Sequence, residues 1–162
     1  MKVFQQQDNE ALAATADASS RQRAHHLFHP LLEDPIQRMV MVMNPDTYVR
    51  PHRHVDPARW ELFVVIRGRV VALCFDDQGR IEERHELAAG GANSVAEIEP
   101  GRWHALTALD THTTVFECKP GPYIAVEDKD FAAWAPREGE NTCAAFIRWY
   151  QTSHTGDLPP GS

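Results

Sequence analysis

The hydrophobic and polar positions of this chain change period twice, from helical spacing to short strand-like runs and back again. Residues 9–24 form an Ala-rich helical pattern, with Asp8 or Asn9 placed to cap its first turn. Residues 25–35 lose that pattern, are rich in His and are broken by Pro30 and Pro35. They read as an irregular connection. Residues 38–43 are a short apolar run, closed by the turn signal Asn44-Pro45-Asp46. Residues 47–54 alternate loosely around Pro51, which suits an edge or bulged strand.

Strand signals then follow closely, at 60–67, 70–75, 81–87, 94–98, 102–106 and 113–118. Gly68, the stretch 76–79, a Gly-rich loop at 88–93, Pro100-Gly101 and Asp110-Thr111 separate them. Short strands with a turn every 8–12 residues point to an all-β sandwich or barrel. A parallel α/β sheet is disfavoured, because no long helical pattern falls between the strands. Helical spacing returns at the end, as one turn near 126–134 and as apolar positions 143, 146, 147 and 150 within 142–150. The division expected is an arm at 1–36, a β-barrel at 37–125 and a helical extension with a frayed tail at 126–162.

With 162 residues, 43% of them hydrophobic, the chain is long enough to bury one substantial core. Lys and Arg number 16 against 23 Asp and Glu, a net charge of −7. That balance opposes nonspecific nucleic-acid binding, while leaving room for a local basic pocket that takes a small anion. The longest apolar run, at 62–66, is strand-sized, so no membrane insertion is expected. The first twenty residues lack the apolar core of a secretory signal, so the expected location is cytoplasmic. Cys74, Cys118 and Cys143 form no close pair and read as small buried hydrophobes in a reducing compartment.

The chemistry concentrates in three places. His52 and His54 are two apart, so on a strand both imidazoles project to one face and can grip a single metal ion. Neutral imidazole suits Zn, Fe, Ni or Cu. Taken alone, such a pair is found on many surfaces that bind nothing. Glu61 opens an apolar strand, where a buried carboxylate needs a partner, a proton or a metal; the ordinary alternative is a solvated strand start. His104 follows the Pro100-Gly101 turn, and beside Trp103 it reads equally well as a structural His. The order His-x-His, Glu, His in one short β-rich chain is far more specific than any single part.

The stretch PHRHVDPARWELFVVIRG resembles the first cupin motif, with its His-x-His, its Glu and its closing Gly68 at matching distance from Glu61. The loop between His54 and Glu61 is a few residues longer than that motif usually has. EIEPGRWHAL resembles the second cupin motif, although Pro100 directly precedes Gly101 and Ala108 stands where Asn is frequent. Within the cupins, NPDTYVRPHRH, WELFVVIRGRVVALCFDDQGR, EIEPGRWH, FECKPGPY and DKDFAAWAP resemble the WbuC-family cupin-fold metalloproteins over about residues 21–139. The resemblance implies a cupin double-stranded β-helix, a jelly-roll barrel with short terminal helical segments. It also implies one divalent transition metal ion per chain (Zn, Fe, Mn or Ni), held by His52, His54, Glu61 and His104. It further implies a homodimer and a setting in surface-polysaccharide (O-antigen, lipopolysaccharide) biosynthesis.

Further residues are candidates for binding a small-molecule ligand. Tyr48 and Arg50 share parity with His52, and an Arg there can neutralise a carboxylate or phosphate. Glu117, Lys119 and Tyr123 close the last core strand, where a salt-bridged rim is the ordinary reading. Arg21, Arg23 and His29 are placed near the pocket by the resemblance, and otherwise read as a solvated loop. No catalytic residue is assigned. Two functions are expected: metal-dependent isomerisation, epimerisation or oxygenation of a sugar or nucleotide sugar, or noncatalytic binding and sensing of a small molecule.

Overall fold

Two runs that are apolar at nearly every position, 36–43 and 69–75, dictate the architecture, because a strand of that kind must be covered on both faces. The computed structural model describes residues 1–161. Its elements are α1 (Gln6–Ala18), β1 (Arg23–Leu27), β2 (Ile36–Met43), β3 (Glu61–Arg67), β4 (Arg69–Phe75), β5 (Ile81–Ala88), β6 (Val95–Ile98), β7 (Trp103–Ala108), β8 (Thr113–Pro120) and α2 (Cys143–Thr152). All pairing is antiparallel, in one sheet of order β1-β2-β8-β3-β6 and another of order β5-β4-β7. The two sheets pack into a β-sandwich of jelly-roll type.

Alternation then sorts the side chains. On β4, Val70, Ala72 and Cys74 face the inter-sheet core with Phe63, Val115 and Leu106. Val71, Leu73 and Phe75 face outward, where Phe146 and Tyr150 of α2 cover them. Trp149 stacks on Phe75 at 5.6 Å, and Tyr150 on Tyr48 at 6.1 Å. On β2, Met41 and Met43 point into the core while Val42 meets Ala13 and Ala16 of α1. Thus α1 and α2 cap opposite outer faces. Among the described residues, no helix is long and apolar enough to cross a membrane.

Three stretches differ from the sequence expectation. The helix begins earlier and ends at Ala18, and the Gln5 N–H donates to Asp8 Oδ2 at 2.7 Å at its start. Residues 23–27, expected as helix end and irregular chain, form edge strand β1 instead, paired with β2 from Arg23↔Met43 to Leu27↔Met39. Local propensity gave way to a free sheet edge. Residues 47–54 form no regular strand; only His52 makes ladder-like bridges, to His104 and Phe131. Between β3 and β4, Gly68 turns the chain at φ +73°, and a Cβ there would lie 2.6 Å from Thr113 Oγ1.

Because α2 covers the outer face of the small sheet, Phe146→Ala should cost roughly 3 to 5 kcal/mol in denaturant unfolding. A loss below about 1 kcal/mol would show that α2 is dispensable to the core.

Candidate metal centre

Four side chains from three separate stretches meet at one end of the sandwich. His52, His54, Glu61 and His104 each offer a ligand atom, and all four atoms lie within 4.8 Å of one another. Glu61 is the first residue of β3, in register with Ile98 of the neighbouring strand. His104 is the second residue of β7, opposite Cys74. His52 is tied to it by two backbone hydrogen bonds: the His52 N–H donates to His104 O at 3.1 Å, and the His104 N–H to His52 O at 2.9 Å. The intervening Arg53 points the other way and lies over the Trp103 ring at 4.2 Å.

The ring orientations are fixed from behind. His52 Nδ1 lies 3.0 Å from Arg50 O, and His104 Nδ1 lies 2.9 Å from Arg102 O. A carbonyl only accepts, so each Nδ1 carries the proton, and in a neutral ring each Nε2 presents a lone pair. Yet His104 Nε2 sits 3.1 Å from Glu61 Oε2, and His54 Nε2 sits 2.9 Å from Glu61 Oε1. For neutral His104 this sets a nitrogen lone pair against a carboxylate oxygen. A proton or a metal cation between them turns that repulsion into attraction. Burial, with His104 beside it, pushes His52 down to about 3, so the centre resists forming an imidazolium there. Three imidazoles and one carboxylate fit a divalent transition ion.

A second charged layer lies beside the first. Lys119 Nζ donates to Glu61 Oε1 at 2.6 Å and to Glu117 Oε1 at 2.8 Å. Glu61 is only 2% exposed, and burial alone would raise its carboxyl. The Lys119 ammonium outweighs that and holds it well below the usual carboxylate range, helped by the His104 and His54 rings only where a proton lies between ring and carboxylate. Glu117 goes the other way, raised by burial and by the charge of Glu61. Burial disfavours the Lys119 ammonium, but the two carboxylates more than compensate and raise it.

The centre opens into a cavity of about 570 Å³ between the sheets. Of the residues expected to bind a ligand, Arg23, His29, Arg50, Glu117 and Tyr123 line it, as do Arg21 and Lys119. Tyr48 does not. It lies on the far side in the α2 core, where its hydroxyl donates to Pro136 O at 3.0 Å. Parity fails there because no ladder pleats the chain before His52, and Val49 and Arg50 both turn toward the cavity. Arg23 donates to Tyr48 O at 2.7 Å and pairs with Glu138 at 2.9 Å. Arg50 donates to Ala132 O and lies over Phe131 at 4.9 Å.

Sequence reasoning passed over His25, Arg59 and Phe131, which also line the cavity. Alternation along β1 would have found His25, had that strand been recognised. Arg59 stands in the longer loop between His54 and Glu61, and its position directly before an apolar strand was the available signal.

Residues 4–87 match the model of a family described as "Domain of unknown function (DUF6016)". No curated protein matches the chain. Solved structures share its fold at low identity. An oxalate oxidase in complex with the substrate analogue glycolate is 12% identical over 68% of this chain and 56% of that one, with a TM-score of 0.52. An HTH_3 family transcriptional regulator from Vibrio cholerae is 14% identical over 72% of this chain and 61% of that one, at 0.51. A cupin superfamily protein from Desulfitobacterium hafniense DCB-2 is 14% identical over 67% of this chain and 86% of that one, at 0.50. The chain spans 31% of the length of an oxalate decarboxylase from Lactobacillus farciminis. These likenesses concern the fold, which is that of the cupin superfamily. With just over half of its residues matched by the family model, the chain belongs to the family described as a domain of unknown function (DUF6016), and it carries a His/Glu cluster suited to a metal inside a cupin sandwich.

Proposed function

We propose that this protein is a metal-dependent enzyme that holds one divalent transition ion through His52, His54, Glu61 and His104 and acts on a small polar molecule in the adjoining cavity. The observation that carries this reading is the set of ring nitrogens fixed from behind by carbonyls and aimed at a buried carboxylate. A bound ion of this kind supplies Lewis acidity, or oxygen binding if it is Fe(II). The chain supplies the rest. Lys119 holds a proton at Nζ within reach of the Glu61 oxygen, and Glu117 steadies that ammonium. An ionisable pair beside the metal ligands favours catalysis over passive binding.

The resemblance to WbuC-family proteins adds a narrower substrate class, a sugar or nucleotide sugar of surface-polysaccharide metabolism, and it rests on the sequence motifs. A noncatalytic binding module is the second reading, favoured by the apolar wall that Met39, Met41, Phe63 and Leu106 give the cavity. Turnover of any candidate by metal-loaded protein, lost on chelation, separates the two.

Replacing both His52 and His54 by Ala should abolish stoichiometric metal in elemental analysis of the purified protein; metal retained at the wild-type ratio refutes the ligand assignment. Lys119→Met leaves the Glu61 charge uncompensated when metal is absent. The chelated variant should therefore lose about 3 kcal/mol, and its gain in melting temperature on adding metal should exceed that of the wild type. A smaller gain overturns the competition between ammonium and ion for Glu61. Acid sensitivity gives a third check. In chelated protein His52 stays neutral down to about 3, whereas in the unfolded chain it takes up a proton near 6.5. The unfolded state binds more protons between those limits, so stability present above about pH 6.5 is lost as pH falls. His52→Gln should make that loss shallower in melts at stepped pH; an unchanged slope contradicts the burial of a neutral ring.

A further inference from the structure

Five cationic side chains line the cavity, Arg21, Arg23, Arg50, Arg59 and Lys119. Three carboxylates oppose them, Glu61, Glu117 and Glu138. The carboxylates are already engaged: Glu61 and Glu117 by Lys119, and Glu138 by Arg21 and Arg23. Arg50 and Arg59 have no ion pair among the described residues. This local excess of positive charge stands out in a chain whose net charge is −7.

Arg59 is the sharper case. It is 8% exposed, yet its Nη1 meets only a neutral oxygen, donating to Pro122 O at 2.6 Å. Its Nη2 is buried without a hydrogen-bond partner among the described residues. A buried guanidinium with neither counter-charge nor full hydrogen bonding is costly, and an anion beside it removes that cost. The Nε of Arg50, lining the same cavity, is likewise buried and unpartnered. The longer loop that brings Arg59 here is also the segment joining His54 to Glu61, so this guanidinium is built into the connection between two metal donors.

We infer that Arg59, with Arg50, forms an anion subsite of the cavity, and that the molecule bound beside the metal centre carries a carboxylate or phosphate group. This rests on the proposed use of the cavity for a small polar molecule, and it narrows that molecule to an anion. A planar guanidinium presents its N–H groups in the geometry that both oxyanions accept, so the two share one chemistry here.

Calorimetric titration of metal-loaded protein at low ionic strength with malonate, inorganic phosphate and glucose tests the inference. At least one anion should bind and glucose should not; the better anion tells carboxylate from phosphate. Arg59→Gln should weaken that binding by about tenfold or more, with its metal content unchanged in elemental analysis. In wild-type protein the Arg59 side-chain NMR resonance should shift on titration with the same anion, a readout that needs no variant to fold. The inference is overturned if neither anion binds, if the Arg59 resonance stays still, or if a folded Arg59→Gln binds as tightly as wild type. Anion binding that persists in the His52→Ala/His54→Ala protein and still depends on Arg59 would keep the subsite and show that it works without the metal, whose own presence is decided by elemental analysis of the wild type. Binding lost in that double variant but indifferent to Arg59 would place the anion on the metal and sink the subsite.

Discussion

A carboxylate taken almost completely out of water is the constraint around which this molecule is organised. Glu61 opens a strand whose next residues must enter the core, so its own side chain is drawn inside with them. An ionised group in that position is tolerated only if positive charge or hydrogen-bond donors come to it. The sandwich brings Lys119 from β8, His104 from β7 and His54 from the loop before β3. Each arrives from a different part of the fold, so the pairing of strands and the neutralisation of Glu61 are one problem.

Much of the β-architecture was legible in the sequence because its signals are local. Continuous apolar runs such as 69–75 demand cover on both faces, and glycine at 68 sits where the backbone turns with positive φ. The His-x-His, Glu and His positions converge within 4.8 Å, as their resemblance to the cupin motifs implied. Less was legible where tertiary contacts decide. Strand β1 carries Arg, Ala and two His, no strand propensity to speak of, and it is a strand because β2 offers it an edge.

The failure of parity at Tyr48 has the same root. Alternation is a property of a paired strand, and the chain before His52 is unpaired. Counting by twos from His52 therefore leads to Arg50, which lines the cavity, and to Tyr48, which does not. Arg59 was hidden for a different reason. Its meaning depends on Pro122, far along the chain, and on what does not approach its second nitrogen, neither of which leaves a mark in the amino-acid order.

Edge strand β1 gives the cavity Arg23 and His25 but none of the four converging donors, and it is joined to the sheet by a single ladder. Glu61 hangs instead on β3, held on both sides, His52 and His104 on their shared bridge, and His54 on the loop between His52 and Glu61. One wall of the cavity is thus mounted apart from the four converging side chains. Substitutions on that strand can therefore change the shape of the cavity while the cluster opposite keeps its form.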